Sequence, residues 1–407
     1  MKQSNIISGL DIGSYNIKAV VMELGEERPK IIGLSNVPSE GMRRGVVVNL
    51  EKTIEGITRA LNEAQHMAGI DLDSVCVAVG GEHIRNINSK GIVYVSNSSG
   101  EITRSDISRA KEAASTLSLP KDRVVIHTIP QEFIVDKQPG IKDPRRMFGQ
   151  TLEVEVHIIT AAETAIRNIN RAVEISGFSV EKFVFAPLAS AEAVLTEDEK
   201  RLGTLLIDFG AGTTDLAVFY DGSIRYSGVV GYGGKAITND IAIGLRTPLE
   251  QAEKLKLEYG CALSSMVKAE DMITVPGMGN RPPKEVSRSV LTAIIEPRVE
   301  EIFGLIKNVF YRTQFSKSIG SGIVITGGSA VMSGVAELCE QVFDMPAKIG
   351  VPYGFDGFSD TLEDPSNATV FGLSYFLDDE YLDFSGEESI LERAIDSLRR
   401  IFRRGDR

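Results

Sequence analysis

Residues 203–226 of this chain read GTLLIDFGAGTTDLAVFYDGSIRY, and this segment is the most informative about the fold. An apolar run ends in Asp208, a glycine-rich turn follows, and two further apolar runs are separated by a second short turn. Apolar runs bounded by such turns predict consecutive β-strands. The same layout occurs at residues 6–34, where the first run leads into Asp11 and another glycine turn. One unit that occurs twice, nearly half the chain apart, predicts two similar lobes that face a shared cleft.

The two glycine turns have the composition of a phosphate-binding site. A tight turn between strands directs several backbone N–H groups at one point, and its glycines let the backbone approach closely. Two such turns facing each other would hold a phosphate tail from both sides, and an aspartate at each strand end would hold a hydrated Mg²⁺. The hydroxyl donors in this pattern are Ser14, Thr213 and Thr214, the Mg²⁺ carboxylates are Asp11 and Asp208, and the added positive charge is Lys18.

A third glycine turn lies in residues 323–330 (IVITGGSA), after a strand pattern and before a helical pattern at 335–343. The backbone of this turn could pass close to a flat base or a ribose. Strand–Gly-Gly–helix junctions are frequent in α/β proteins, so the turn adds to the twin turns but does not identify a nucleotide site alone.

The composition is that of a globular protein. The chain has 407 residues, of which 43% are apolar and 25% charged, and this length predicts roughly two to four modules. A net charge of −12 disfavours nucleic-acid binding, and three cysteines and four histidines without ligand spacing disfavour a transition-metal site. No window approaches the ~20 uninterrupted apolar residues of a spanning helix, and the N-terminus lacks a signal-peptide pattern, so we expect an intracellular protein.

Helical periodicity alternates with β-rich segments along the rest of the chain. It predicts helices at residues 50–67, 160–177, 248–259, 288–310 and 335–343. A loop rich in proline and glycine, at 276–283, joins two of these helices. Residues 82–160 differ, because they hold short β-rich runs and one helix at 104–117, and they predict a small inserted α+β module.

The end of the chain changes character. Residues 378–388 (DDEYLDFSGEE) hold six acids and no base, the composition of a solvated linker. Residues 389–407 carry six arginines and three acids, and their periodicity predicts a helix with one bulky apolar face. Such a helix usually docks on its own protein, but its arginine-rich polar face and the acidic linker favour an anionic membrane interface. The apolar residues of the predicted membrane contact are Ile390, Leu391, Ile395, Leu398, Ile401 and Phe402, and the basic ones are Arg399, Arg400, Arg403 and Arg404.

The order of the glycine turns resembles a known superfamily. Residues 11–14, 208–215 and 326–330 are similar to the two phosphate motifs and the adenosine motif of the actin, Hsp70 and sugar-kinase superfamily. Within it, the chain closely resembles the FtsA family of bacterial cell-division actin homologues over nearly its whole length. The distinguishing stretches are GMRRGVVVN at 41–49, VAVGG at 77–81, PLASAEA at 187–193 and the basic tail.

The resemblance implies an α/β, actin-like, two-lobe fold. Its parts are a duplicated ribonuclease-H-like core, an inserted small α+β subdomain and a C-terminal amphipathic helix. The implied divisions are 1–81, 161–187 and 362–377 for the first lobe, 82–160 for the insertion, 188–240 and 321–361 for the second lobe, 241–320 for a helical/β subdomain of the second lobe, 378–388 for the acidic linker and 389–407 for the membrane-targeting helix.

The resemblance also implies a function. It predicts ATP with Mg²⁺ in the cleft, self-association into filaments, and binding of the C-terminal tail of the tubulin-like protein FtsZ. The protein would tether FtsZ filaments to the cytoplasmic face of the membrane at the division site, as a peripheral protein, with later division proteins at residues 82–160. No nucleic-acid partner is expected.

Carried over by position, the resemblance assigns nucleotide contacts. These are Gly13, Ser14, Lys18, Gly210, Gly212, Thr213, Thr214, Gly233, Gly234, Glu253, Lys256, Gly327, Gly328 and Ser329. From the residues alone, Glu253 and Lys256 could equally be a solvated i,i+3 pair. Arg298 falls where the family binds FtsZ, although a solvent-facing helix charge would look the same.

One departure from the superfamily concerns hydrolysis. Hydrolysing relatives place a Glu or Gln just before the proline of the 187–193 segment, where it orients the attacking water, and this chain has Ala186. Glu192 lies nearby in sequence, one helical turn or more farther along, and is a weak candidate. We therefore predict tight ATP binding with slow or no hydrolysis.

Two other functions share these motifs. A soluble ATPase or small-molecule kinase would need a positioned base, for which the sequence offers only Asp11, Asp208 and Asp215. An actin-like adaptor of pilus assembly would have similar motifs without the basic tail. The tail therefore favours the membrane tether.

Overall fold

The computed structural model describes residues 6–376, apart from 26–27, 117–119 and 280. The acidic linker and amphipathic helix expected at residues 378–407 lie outside the described residues. The strands in the described part are β1 (Ile6–Ile12), β2 (Asn16–Leu24), β3 (Pro29–Pro38), β4 (Met42–Arg43), β5 (Val46–Val47), β6 (Ser74–Val79), β7 (Arg85–Tyr94), β8 (Arg123–Val135), β9 (Gln138–Ile141), β10 (Thr151–Ala162), β11 (Ser179–Phe185), β12 (Thr204–Phe209), β13 (Thr214–Tyr220), β14 (Ser223–Val230), β15 (Met272–Val275), β16 (Lys284–Ser287), β17 (Ile323–Thr326) and β18 (Ala347–Ile349).

The helices predicted within residues 50–343 are present, with ends that differ by a few residues. The helices in the described part are α1 (Leu50–Ala68), α2 (Arg104–Ser115), α3 (Glu163–Ile175), α4 (Ala186–Val194), α5 (Glu197–Leu202), α6 (Gly234–Leu245), α7 (Leu249–Tyr259), α8 (Arg288–Tyr311), α9 (Val335–Phe343), α10 (Ser359–Leu362) and α11 (Ala368–Gly372). Short 3₁₀ turns occur at Ser264–Met266, Gly328–Val331, Pro365–Asn367 and Leu373–Phe376. Within the part of the chain that the structure covers, no helix is both long and apolar enough to span a membrane.

The duplicated units form two five-stranded sheets with one topology. The first sheet has the order β11-β6-β1-β2-β3, and the second has the corresponding order β18-β17-β12-β13-β14. In each, the quoted unit is an antiparallel meander, and a parallel strand lies on the other side of its first strand. Asp11 pairs with Lys18 in the first sheet, and Asp208 pairs with Asp215 in the second. The prediction of two similar lobes is confirmed.

The inserted segment forms a sheet of its own, in the order β7-β10-β8-β9. Helix α2 packs on one face of this sheet, where a Cβ on Gly91 would overlap the carbonyl of Ala110. The cluster beneath the helix is apolar and includes Ile107, Val154 and Val156. We call residues 85–162 the insertion subdomain.

The loop predicted at residues 276–283 lies between two strands rather than directly between two helices. Strands β15 and β16, on either side of it, pair antiparallel. Each strand has only four residues, too few for a period-two pattern to be distinguished in sequence.

Two helices join the lobes and set the distance between them. Helix α4 leads from the first sheet toward the second, and α11 crosses it closely. A Cβ on Gly372 would overlap the carbonyl of Ala189, so the crossing requires glycine. The buried cluster around this crossing contains side chains of both lobes, among them Val184, Leu206 and Phe371.

Candidate functional site

A cavity of about 400 Å³ opens between the lobes, a volume typical of sites that hold small molecules. Residues from both repeated units and from the third glycine turn line it. The predicted residues in its wall are Asp11, Gly13, Ser14, Lys18, Asp208, Gly210, Glu253, Lys256, Gly327, Gly328 and Ser329. The structure thus brings residues from distant parts of the sequence to one cavity.

The carboxylates of Asp11 and Asp208 lie at corresponding positions of the two sheets. Burial raises the pKa of Asp11 to about 6, although Lys18 lowers it, and the nearby Asp208 contributes a smaller increase to this value. Burial also raises the pKa of Asp208, although hydrogen bonds from Ser190 (2.7 Å) and Thr369 (3.3 Å) favour its charged form. Two desolvated carboxylates in one cavity favour a bound cation.

The donor set fits Mg²⁺ held largely by water and phosphate. Among the described residues, no three His, Cys, Asp or Glu side chains come together to hold a metal ion. Mg²⁺ commonly keeps several waters and binds through one or two carboxylates and substrate phosphates. Asp11 and Asp208 would hold the hydrated ion, which would neutralise phosphate charge when bound.

Lys18 is anchored at the floor of the cavity. Its Nζ donates to the carbonyl (2.5 Å) and hydroxyl (2.6 Å) of Ser366 and to Oδ1 of Asn367 (2.8 Å). Burial lowers the pKa of Lys18, while the carboxylates of Asp364, Asp11 and Asp208 raise it. A phosphate contact from Lys18 stays a prediction.

Residues 364–369 complete this wall, and the sequence analysis missed them. Asp364, Ser366 and Thr369 line the cavity. The string Asp-Pro-Ser-Asn is typical of a turn, and this was the one signal that could have drawn attention to it. Its partners lie elsewhere in the chain, so the turn alone did not indicate a ligand site.

The two phosphate turns face each other as predicted. A Cβ on Gly212 would lie 2.5 Å from the Ser14 hydroxyl, so the turns touch. The hydroxyls of Thr213 and Thr214, however, do not reach the cavity. Thr213 donates to Asp215 (2.9 Å) and Thr214 donates to the carbonyl of Tyr232 (2.8 Å), so both hydroxyls form hydrogen bonds within the second lobe.

Asp215 is a buried acid between the turns and the first lobe. Burial raises its pKa to about 7, with a further increase from Asp208. Its Oδ1 accepts from the backbone N–H of Gly81 (3.3 Å), and its Oδ2 accepts from Thr213. Asp215 therefore joins the two lobes behind the phosphate turns.

The start of helix α6 crosses the second turn at close range. The N–H of Gly234 donates to the carbonyl of Gly210 (3.0 Å), and that of Lys235 donates to Ala211 (2.8 Å). A Cβ on Gly233 would lie 2.5 Å from the Gly210 carbonyl. Gly233 and Gly234 are absent from the cavity wall and pack against the second phosphate turn. We call residues 231–234 the cover of this turn.

Glu253 and Lys256 form a buried ion pair on helix α7. Their charged atoms are 2.8 Å apart, and the side chains are 15% and 9% exposed, so the alternative of a solvated pair is wrong. Lys256 also donates to the hydroxyl of Thr238 (2.9 Å) and to the carbonyl of Gly234 (3.2 Å). The pair fixes the cavity wall next to the start of α6.

The third glycine turn closes the opposite wall. Gly327 has a φ of +91°, and a Cβ there would lie 2.5 Å from Oδ1 of Asp208, so glycine is required on both counts. The hydroxyl of Ser329 donates to the carbonyl of Gly210 (3.0 Å). The third glycine turn therefore contacts the second phosphate turn directly.

The structure does not bring Glu192 to the cavity. Helix α4 points Ser190 at Asp208. A position two residues farther on points to the other side because each helical residue advances by ~100°. The Glu192 carboxylate is 2.6 Å from Nζ of Lys200, and both side chains are largely buried. Glu192 as the residue that orients water is therefore corrected to a structural ion pair.

Arg298 lies on helix α8, away from the cavity. Its guanidinium forms an ion pair with Asp240 of α6 and a second one with Glu301, one turn along its own helix. The side chain is 25% exposed. Partner binding by Arg298 stays a prediction, made now for a residue already held by two carboxylates.

Comparison with known proteins bears on both the family and the fold. A family model described as "Cell division protein FtsA" matches residues 205–372, and one described as "SHS2 domain inserted in FTSA" matches residues 81–160. The FtsA of Pseudomonas aeruginosa is 42% identical over 92% of this chain and 89% of its own length. The FtsA of Escherichia coli K12 is 35% identical over 97% of this chain and 94% of its own.

Solved structures share the fold at low sequence identity. The PilM–PilN complex of type IV pilus biogenesis aligns with a TM-score of 0.67 at 18% identity, covering 90% of this chain and 97% of that chain. MreB5 of Spiroplasma citri, bound to ADP, aligns with a TM-score of 0.57 at 15% identity, covering 94% and 99%. The expected actin-like fold is confirmed.

Proposed function

Because this chain belongs to the FtsA family of cell-division proteins, we propose that it is an ATP-binding tether between FtsZ filaments and the membrane. The cavity carries the first part of this proposal. Its two facing glycine turns and its two desolvated carboxylates suit a nucleotide with bound Mg²⁺. The ADP in the MreB5 structure, which shares the fold, supports the same use of the cleft.

ATP in this site serves as a ligand rather than a fuel. Ala186 stands where hydrolysing relatives have a residue that orients water, and Glu192 is held by Lys200. We therefore expect turnover far below one per second, and a faster rate that Glu192→Gln abolishes would contradict this.

The tether requires a partner surface and a membrane anchor. Arg298 and the neighbouring faces of α6 and α8 are the proposed contact for the C-terminal tail of FtsZ. The segment 389–407, which lies outside the described residues, is the proposed anchor at the cytoplasmic face of the membrane. One short amphipathic helix binds only marginally, so self-association into filaments supplies the avidity for stable attachment.

A pilus-assembly adaptor shares the fold but is not favoured. The PilM–PilN complex aligns in space with this chain at 18% sequence identity. The two FtsA relatives are 42% and 35% identical over 92% and 97% of this chain. A small-molecule kinase is not favoured either, because Asp215 is committed to contacts with Gly81 and Thr213.

Flotation of anionic liposomes tests the tether directly. The full chain is mixed with FtsZ and Mg·ATP, alongside a chain that ends at residue 388 and the variant Leu398→Glu, with Leu398→Ile as the matched control. We expect FtsZ to float with the full chain and with Leu398→Ile only. If this protein floats and FtsZ does not, the partner is wrong. If neither floats, the anchor is wrong and a soluble ATPase becomes the better reading.

A further inference from the structure

The insertion subdomain is fastened to the edge of the second lobe. Strand β14 is the outer strand of the second sheet, and three side-chain amides of the insertion donate to its backbone carbonyls. Gln131 bonds Ile224 (2.8 Å), Asn88 bonds Arg225 (3.1 Å) and Asn86 bonds Ser227. Side chains of the insertion therefore pair with the edge of the second sheet, although the insertion interrupts the sequence of the first lobe.

A buried histidine lies at the centre of this junction. Nδ1 of His157 is 2.6 Å from Oδ1 of Asn88, and its Nε2 is 3.0 Å from the hydroxyl of Ser227. Burial lowers the pKa of His157 to about 3, so the ring is neutral. Because Asn88 uses its amide nitrogen on Arg225, its oxygen accepts from Nδ1–H of His157, and Nε2 accepts from Ser227.

Apolar and charged contacts extend the junction on either side. Ile129 and Ile159 of the insertion share a buried cluster with Ile224 of β14. Lys142 of the insertion forms an ion pair with Asp221 (2.7 Å), at the turn that precedes β14. The junction thus holds β14 from its first residue to its middle.

The far end of β14 leads to the cover of the second phosphate turn. The strand ends at Val230, and residues 231–233 connect it to Gly234, the first residue of α6. A Cβ on Gly231 would overlap the carboxylate of Glu82, which lies in the loop that leads into the insertion. The same loop donates the Gly81 N–H to Asp215. Both ends of β14 are therefore in contact with the insertion or its root.

We propose that Gln131, His157 and Ser227 form an inter-lobe brace, which holds the insertion subdomain on β14 and so keeps the cover, residues 231–234, packed on the second phosphate turn, whose residues Gly210 and Ala211 line the cavity. These are positioning residues, since none of them lines the cavity. The proposal rests on nucleotide binding in the cleft, as proposed above. By linkage, a partner that pulls the insertion away from β14 will weaken nucleotide binding, and bound nucleotide will weaken that partner to the same degree.

Two variants of the full chain loosen the brace from its two sides. Ser227→Ala leaves the buried Nε2 of His157 without its hydroxyl, and Gln131→Ala leaves the carbonyl of Ile224 without its amide. The matched control is Ser176→Ala at the C-terminal end of α3, which removes a hydroxyl that donates to Ala172 (2.8 Å) and Ile54 (3.3 Å), remote from the junction. Hydrogen–deuterium exchange of residues 221–234 and the dissociation rate of a fluorescent ATP analogue are measured on each.

Loss of one such hydrogen bond is expected to accelerate both processes roughly threefold to tenfold, and Ser176→Ala should leave them unchanged. Should exchange accelerate while the analogue leaves at the wild-type rate, the coupling is refuted. Unchanged exchange refutes the brace itself. If Gln131→Ala fails to fold, Ser227→Ala decides, because it removes a single oxygen. Absence of analogue binding by the wild-type chain would instead overturn the nucleotide site, and the coupling with it.

Discussion

Gly233 is the residue at which the start of helix α6 lies closest to the second phosphate turn. A Cβ there would be 2.5 Å from the carbonyl oxygen of Gly210, and ordinary contact begins at 3.4 Å. The variant Gly233→Ala must therefore displace the start of α6 by about 1 Å. The backbone of Gly233 is extended and has no positive φ, so the effect comes from the contact and not from backbone strain.

That displacement acts on two backbone hydrogen bonds. The N–H of Gly234 donates to Gly210 (3.0 Å) and that of Lys235 donates to Ala211 (2.8 Å), and both would lengthen past hydrogen-bonding distance. At about 1 kcal/mol each, their loss amounts to about 2 kcal/mol. If the nucleotide requires this cover, its affinity falls roughly 30-fold.

Calorimetric titration with Mg·ATP measures this change. The control is Gly304→Ala in helix α8, where a Cβ would meet no atom within 4 Å. Alanine there should bind ATP normally and stabilise the helix by about 0.5–1 kcal/mol. Wild-type affinity in Gly233→Ala would refute the cover, and an equal loss in Gly304→Ala would show that the assay reports general destabilisation.

Three further predictions concern stability. Glu192→Gln should lower the free energy of unfolding by about 3 kcal/mol, because it leaves the buried Lys200 with one exposed partner, and an altered ATP turnover would contradict the structural role. Gly372→Ala should destabilise the crossing of α11 with Ala189, and a melting temperature equal to that of wild type would count against the overlap. His127 is buried, which lowers its pKa to about 3. Its folded pKa lies below the unfolded value, so its contribution is full above pH ~6.5 and declines as the pH falls. The destabilisation caused by His127→Gln should therefore shrink by on the order of 3 kcal/mol between pH 7 and 4, and chemical denaturation that shows a constant difference would exclude this.

The repeated units were predictable because their signals are local. Asp11 and Asp208 each follow an apolar strand and precede glycines, so the strand, the turn and the acid are read from neighbouring residues. The matching sheets then follow from the duplication. The positions of both acids in one cavity required only that the two units face each other.

Other parts of the site depend on contacts that the local sequence does not encode. The ammonium of Lys18 is directed to Ser366 by the packing of the first lobe, and the orientation of Glu192 depends on where Lys200 is buried. The hydroxyl of Thr214 has a competing acceptor in Tyr232. In each case the residue type suits the predicted chemistry, but a partner outside the local segment determines which atoms the side chain contacts.

The anchoring of Lys18 has a consequence for the order of events during synthesis. This lysine is held by Ser366, 348 residues later in the chain. At ~5–20 residues per second, roughly 20 to 70 seconds separate the emergence of the two partners from the ribosome. The Lys18 side of the cavity is thus made early and gains its floor only after residue 366 has emerged. A chain that ends before this residue would lack the floor of the cavity, so the proposed nucleotide site can form only once synthesis has passed it.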